Sequence, residues 1–443
     1  MSPALRLFLE LDLPAMLSAT LAAVTCALLG NFLLLRRLSL LGDAISHAVL
    51  PGLVIAFIVT QSRHPVPMLL GAAASGLVTV LLVELLRRLT RLESGASMGV
   101  VFSILFALGV VLIERHARDV DLDPDCVLAG ALETITWTPR PAPGSVAGYL
   151  AADALAQAPG ALLALLAFAA LAGLFVVGFF KELRIAAFDP ALASALGLSA
   201  GLTNTLLMLF VAGAVVVSFQ AVGSILVIAM LVCPPATARL LTDRLGRQLA
   251  LSVALAVIAG VGGYFLAAFA PRLLGTPAAL NAAGMIGIVS GLLLGLGVLA
   301  SPSHGVLAKQ ARLARLRLSI LSEDILAQLY RAHEAGEPVS TTALAPTPLG
   351  RLALRSRCRA GQVTDDPERP GLTPEGLEAA RQVIRSHRLW ETYLVQAVGL
   401  RPDHVHRTAA QLEHLGAPSL GPQAGRTGTP LTDPQGKPIP PGP

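Results

Sequence analysis

The sequence predicts an all-α protein, a polytopic membrane helical bundle followed by a small, mainly α polar domain. Three observations predict it. Between Gly201 and Ala238 the chain runs 38 positions without Asp, Glu, Lys or Arg, and at about 1.5 Å rise per residue this is long enough for two helical bilayer crossings. Over the whole chain 54% of residues are hydrophobic and 14% charged, with mean hydropathy +0.68, against about 25% charged in soluble domains. Charge is also unevenly placed: 17 of the 33 Lys+Arg and 13 of the 28 Asp+Glu fall after residue 308, so two different materials join near Ser301.

Apolar windows free of acidic and basic residues fall at about Pro14 to Leu35, Ala44 to Thr60, Val66 to Val83, Gly95 to Ile113, Ala161 to Phe180, Leu202 to Ser218, Ala221 to Ala238, Leu249 to Ala270 and Leu280 to Ala300. They predict about nine transmembrane helices within a membrane domain of residues 1–305. The first window follows Arg6, Glu10 and Asp12 without a distinct cleavage site and reads as a retained span. Gly and small residues inside the windows (Gly71 and Ser75, Gly260 and Gly263, Gly291 and Gly295) are expected where helices approach closely in lipid.

Basic residues occupy every second connection: Arg36 and Arg37; Arg87, Arg88 and Arg91; Lys181 and Arg184; Arg239, Arg244 and Arg247. By the positive-inside rule the N-terminus is outside and everything after Ala300 is cytoplasmic. The outer connection from Glu114 to Gln157 begins acidic, which suits either a docking surface for a metal-delivery protein or a plain solvated link. Cys26, Cys126, Cys233 and Cys358 show no short pairing, so neither a disulfide framework nor a thiolate zinc site is indicated. The three lysines, Lys181, Lys309 and Lys437, are followed by Glu182, Gln310 and Pro438, so the chain has no Gly-Lys-[Ser/Thr] phosphate loop. Any ATP hydrolysis belongs to a partner.

The second window opens with Gly42-Asp43-Ala44-Ile45-Ser46-His47-Ala48-Val49-Leu50-Pro51-Gly52. Asp43 and His47, four apart, share a helix face. A carboxylate and an imidazole there suit a shared divalent cation on a pathway, with Pro51-Gly52 loosening nearby carbonyls. The alternative from chemistry alone is an interfacial cap at Asp43 and a hydrogen-bonded packing histidine at His47. The charge rule puts both toward the cytoplasmic end of their helix.

Arg36-Arg37 followed by Leu41 through Gly52 resembles the signature of the ABC-type zinc, manganese and iron permease family. Two further stretches resemble it as well: Lys181-Glu182-Leu183 with Phe188-Asp189-Pro190 and Ala195-Leu196-Gly197, then Gln220-Ala221-Val222-Gly223 with Pro234-Pro235-Ala236-Thr237-Ala238-Arg239. The resemblance implies a metal path through Asp43 and His47. It also implies ATPase docking on the segment from Lys181 to Leu198, at Lys181, Glu182, Phe188, Asp189, Pro190 and Gly197, which residues alone would equally allow to be an interfacial loop. The implied partners are a cytoplasmic ATPase, an extracytoplasmic metal-binding protein and a second permease subunit, identical or homologous. No tightly bound cofactor is expected; Mn, Zn or Fe enters as substrate and regulator.

After the basic run Lys309 to Arg317, which suits anionic lipid, residues 309–415 read as two helical blocks around a Pro-broken stretch. Thr373-Pro374 is a helix start, and the helix it opens carries His387 and Glu391 at i and i+4. A second helix, Pro402 to about Leu415, carries His406, Glu413 and His414. These donors suit a divalent ion of borderline hardness, or ordinary surface salt bridges. Ser322-Glu323-Asp324-Ile325-Leu326, Leu372-Thr373-Pro374-Glu375-Gly376, His387-Arg388-Leu389-Trp390-Glu391, Val405-His406, Leu412-Glu413-His414 and Asp433-Pro434-Gln435-Gly436-Lys437-Pro438 are together similar to the diphtheria-toxin-repressor family of metal-dependent regulators. By that resemblance Asp324, His387, Glu391, His406, Glu413 and His414 are ligand positions, and Ala410 stands where a further ligand belongs.

Between Thr341 and Val363 the chain is short, and Pro346, Pro348 and Gly350 are expected to cut a recognition helix. The expectation is therefore a degenerate winged-helix and dimerisation domain without operator recognition. Arg351, Arg355, Arg357 and Arg359 would give at most sequence-blind phosphate contacts. Residues 416–443, with eight prolines, are expected to be largely disordered. The sequence reads as the permease subunit of an ABC importer for a divalent metal in the cell inner membrane, with a cytoplasmic metal-sensing domain. A membrane-tethered regulator and an ion-coupled secondary carrier are the alternatives.

Overall fold

The computed structural model describes residues 2–36, 38, 41–62, 65–90, 94–116, 132–140, 145–273, 275, 280–366, 368–415 and 431–441. They divide into two compact units, Met1–Ala308 and Lys309–Pro443. The described residues are overwhelmingly helical, and two isolated antiparallel bridges are their only extended pairings.

Among the described residues of the first unit eight helices are long and apolar enough to cross a membrane. The first is α1, Pro3–Leu35, with a π-helical turn at Phe8–Asp12. It precedes α2 (Leu41–Ala48), α3 (Leu50–Thr60), α4 (Pro65–Thr90), α5 (Ser94–His116), α6 (Gly160–Gly178), α7 (Phe180–Phe188) and α8 (Pro190–Ala195). Then come α9 (Ala200–Val222), α10 (Ser224–Leu241), α11 (Leu245–Leu273) and α12 (Ala282–Ala300). The window expected as one span from Ala44 to Thr60 is the exception, since it is broken into α2 and α3. Pro51 has no N–H to return to the His47 carbonyl, so the helix loosens there.

Helix α1 is the centre of the bundle and packs against α6, α9, α10 and α11. From Ala15 to Ala27 its buried face is rich in small residues, Ala15, Ala19, Ala22, Ala23, Cys26 and Ala27, before the larger Leu29, Phe32 and Leu33, and small residues let backbones in lipid approach closely. Gly52 and Gly71 bring α3 onto α4 so closely that a Cβ on either would strike the other's carbonyl. Gly223, at φ +77°, makes the sharp turn from α9 to α10, a conformation glycine adopts without strain.

The second unit holds α13 (Val306–Ala335, which begins just before it), α14 (Thr341–Leu344), α15 (Pro348–Arg359), α16 (Pro374–Gln396) and α17 (His406–Leu412). Ile325, Leu326, Leu329, Leu344, Leu354 and Val363 are among its core residues. Pro346, Pro348 and Gly350 do not cut the helix they were expected to cut. The Thr347 hydroxyl accepts from Gly350 N at 3.0 Å, Pro348 occupies the first turn, and α15 runs 12 residues. Proline is tolerated at that position because its missing N–H would be unpaired anyway. A Val363–Leu372 bridge follows like a minimal wing. Arg351, Arg355 and Arg359 are exposed, whereas Arg357 is spent inside the unit on Ser322 Oγ (2.8 Å) and Gln362 Oε1 (2.7 Å).

The helix expected from Pro402 to Leu415 is a 3-10 turn, the seven-residue α17 and a second 3-10 turn, Glu413–Leu415. The tail also departs from expectation: residues 431–441 form a turn closed by a Thr432–Pro438 bridge. Asp433, buried, accepts from the main chain of Gln435 and Lys437 and lies 3.7 Å from the buried Arg388. A short polar segment is fixed here because it answers a buried guanidinium. Residues 416–430 lie outside the described residues.

Candidate functional site

Helix α2 packs against α4, α5, α9 and α10, which places the Asp43–His47 segment inside the bundle. Gly42 meets the Leu231 side chain. The His47 imidazole packs against both Phe102 and Phe106, with ring centroids 5.2 and 5.9 Å away, and the two phenylalanine rings are 6.1 Å from each other. Those phenylalanines stand eight and twelve residues into the 23-residue α5, so the ring lies about 12 to 18 Å along a helix of about 34 Å. The motif is therefore near mid-depth rather than toward the basic end where the charge pattern alone put it. The chain turns back after Arg36, so α2 starts at the level of Gly30 and Leu231, both of which contact it or its neighbours. Asp43 has its backbone in α2, and its side chain lies outside the described residues.

The segment from Lys181 to Leu198 is a two-helix element. Asp189 Oδ1 caps α8 by accepting from Leu192 N at 2.9 Å, and Pro190 fills its first position. Gly197, at φ +77°, lets the chain leave α8 toward α9. Lys181, Phe188, Asp189 and Pro190 are exposed, Phe188 to 59%, and Glu182 is half-buried. Leu192 and Leu196 are exposed as well, so the element presents more than a single scattered apolar side chain.

In the second unit two clusters form. His387 Nε2, Glu391 Oε1 and His406 Nδ1 lie 2.8 to 3.1 Å from one another, with His387 and Glu391 buried and His406 exposed. Three donors at edges of about 3 Å match adjacent corners of an octahedron with bonds of about 2.1 Å, and a tetrahedron would need about 3.4 Å. Asp324, Glu413 and His414 form the second cluster; His414 Nε2 lies 3.4 Å from Asp324 and 3.9 Å from Glu413. Glu413 also bonds His387 Nδ1, and so joins the two clusters.

Burial opposes the charged form of His387, but hydrogen bonds to Glu391 and Glu413 outweigh it and raise its pKa. Burial likewise pushes Glu391 up, and the bonds from His387 and His406 bring it below the usual carboxylate range. Burial raises Asp324, helped by Glu413 and Glu323 and opposed by His414. Buried carboxylates and imidazoles concentrated this way favour a cation.

The model of the ABC 3 transport family matches residues 9–138 and 125–290, which is most of the first unit. The chain belongs to the ABC 3 transport family. Residues 373–441 of the permease match the metal binding and dimerisation domain of iron dependent repressors, a stretch that includes α16, α17 and the ordered tail. Among curated proteins the permease is 37% identical over 295 residues to the manganese transport system membrane protein MntD of Bacillus subtilis, covering 67% of this chain and 94% of that one. It is 37% identical over 315 residues to the zinc transport system membrane protein TroD of Treponema pallidum, covering 70% and 79%. Among solved structures it resembles PsaBC from Streptococcus pneumoniae, with TM-score 0.51 and 26% identity over 66% of this chain and 91% of that one. It is a multi-pass membrane permease subunit of an ABC transporter.

Some contacts of the permease were not visible in its sequence. Phe102 and Phe106, which pack against His47, are two phenylalanines in an apolar window and carry no separate signal. Glu323 Oε2 accepts from His414 Nδ1 at 2.7 Å; its place beside Asp324 was the available hint. Arg388, 4% exposed, is held by Glu334 at 2.7 Å and by the Pro438 carbonyl.

Proposed function

We propose that this permease, paired with a second permease subunit, carries a divalent transition metal, Mn or Zn by its relatives, into the cytoplasm. An extracytoplasmic binding protein hands the ion over, and a cytoplasmic ATPase docked on α7 and α8 drives the change of access. The observation that carries the reading is His47, held at mid-depth against the paired rings of Phe102 and Phe106 on a helix interrupted at Pro51. An imidazole so placed, with Asp43 one turn away, replaces part of the ion's hydration shell weakly enough to release it. The second unit lies in the cytoplasm and senses metal: the ion filling the His387, Glu391 and His406 cluster, and the Asp324, Glu413 and His414 cluster beside it, restrains further uptake.

Metal uptake into proteoliposomes holding the permease, its ATPase and its binding protein tests the path. Asp43→Ala and His47→Ala abolish uptake while the ATPase still co-purifies; wild-type uptake in both variants removes the site. Calorimetry on residues 309–443 tests the sensor, and no heat of binding at millimolar Mn, Fe or Zn leaves that unit a structural role alone.

A further inference from the structure

Among the described residues, only two charged side chains bury a polar atom with no hydrogen-bond partner in the protein, and they have opposite charge. Arg36, at the end of α1, donates through Nη1 to Asn204 Oδ1, but its Nε and Nη2 are buried and unanswered. Glu182, in the first turn of α7, has Oε2 buried and unanswered. A buried ionised group without a partner is strongly unfavourable, so two complementary ones near each other call for an arrangement that joins them.

They stand on elements that pack together. Helix α7 packs against α1 and α9. A cavity of about 450 Å³ is lined by Arg36, Asn204, Ala186, Ala187 and Pro190, and Ala186 lies four residues after Glu182, on the same face of α7. Glu84, which also lines the cavity, is engaged with Arg87 at 3.3 Å.

We infer that Arg36 and Glu182 form an ion pair in one access state of the permease and are parted in the other, so that they couple the docking element to the metal path. Arg36 ends α1 only five residues before α2 begins, and α2 carries Asp43 and His47. When α7 and α8 move under the ATPase, the pair pulls on this corner and α2 follows. Both are positioning residues: neither touches the metal. The inference rests on the proposed docking of the ATPase at α7 and α8.

The test uses the whole transporter in nanodiscs and proteoliposomes, with Mn²⁺ as the probe. Arg36→Glu lowers Mn²⁺ uptake at least tenfold while ATP hydrolysis continues, Glu182→Arg lowers uptake at least as much, and the double reversal regains at least a third of wild-type uptake. In a background lacking the four native cysteines, Arg36→Cys with Glu182→Cys forms a disulfide in either the resting or the vanadate-trapped state, not in both. A double reversal no better than either single, together with cross-linking that is equal or absent in the two states, overturns the inference. The cysteine pair keeps the test decisive if the reversals fail to fold. Co-purification of the ATPase with Phe188→Asp and Asp189→Ala variants judges the docking separately, and its failure leaves the cross-link and rescue results readable.

Discussion

Gly30 on α1 rests on the main-chain carbonyl of Leu231 on α10, so closely that a Cβ on Gly30 would overlap that oxygen. The carbonyl is available because Pro235, four residues later and buried, has no N–H to give it. Gly42 on α2 meets the Leu231 side chain from another direction. One residue thus sets the distance between the central helix, the proline-bearing helix and the helix that carries His47. A proline interrupts α10, and a glycine on its neighbour covers the interruption, with Cα–H pointing to the freed oxygen.

Gly30→Ala therefore destabilises the permease by about 1 to 3 kcal/mol as overpacking does, while Gly42→Ala, which meets only the tip of the Leu231 side chain, costs less. Gly99→Ala on α5, where an added Cβ meets nothing within 4 Å, leaves stability unchanged. Thermal unfolding in detergent, followed by size-exclusion fluorescence, separates them; a Gly30→Ala protein as stable as Gly99→Ala contradicts the close contact.

Asn31, one residue on, is wholly buried and ties α1 to α11: its amide donates to Ser252 Oγ at 2.6 Å and to the Ala27 carbonyl at 2.7 Å, and Gln248 donates to its oxygen at 2.9 Å. Asn31→Leu leaves Gln248 unanswered in an apolar setting and lowers stability by about 1 to 3 kcal/mol. Asn31→Leu with Gln248→Leu recovers much of the loss, since removing both partners removes the unpaired group. The same unfolding measurement decides, and a double variant weaker than the single one refutes the network.

Much of this architecture is legible in sequence because lipid imposes one rule, that apolar length must match bilayer thickness, and eight of the windows obey it. The Asp43–His47 spacing and Pro51 point to polar groups beside loosened carbonyls, but the window still reads as one span, and the break into α2 and α3 is not expected from it. Depth was not legible: charge counts fix which end a loop occupies, while the return of the chain after Arg36 depends on Gly30, Gly42 and Leu231 packing across three helices. Pro346 and Pro348 misled because proline breaks a helix only in its interior, and Thr347 makes Pro348 a beginning. The tail misled because composition reports average burial, and a single buried Arg388 is enough to hold Asp433 in place.

Residues 431–441 consequently stabilise the second unit. Asp433→Ala removes a buried carboxylate and leaves Arg388 with Glu334 as its one carboxylate partner, beside the Pro438 carbonyl, which lowers stability by about 1 to 3 kcal/mol. Truncation before Leu431 has a larger effect, since the Pro438 and Pro440 carbonyls that accept from Arg388 and Arg385 go with it. Urea unfolding of residues 309–443 measures both, and an unchanged midpoint on truncation means the tail is only resting on the surface.

Glu413 has the most revealing substitution, because it belongs to both clusters. Its Oε2 bonds His387 Nδ1, while its Oε1 faces His414. An ion on His387 Nε2 fixes the proton of that imidazole on Nδ1, where the Glu413 carboxylate receives it and makes the ring a better ligand. Glu413→Gln keeps an acceptor but loses the charge. Affinity at the His387, Glu391 and His406 cluster falls about 10- to 100-fold, as removal of an outer partner does, and the second cluster loses one of its anionic donors outright. His414→Ala, by contrast, empties the second cluster and spares the first. Calorimetry with Mn²⁺ on residues 309–443 shows two classes of site in the wild type, one in His414→Ala, and one weakened class in Glu413→Gln. If Glu413→Gln instead keeps both classes at full strength, the two clusters are independent and Glu413 serves neither.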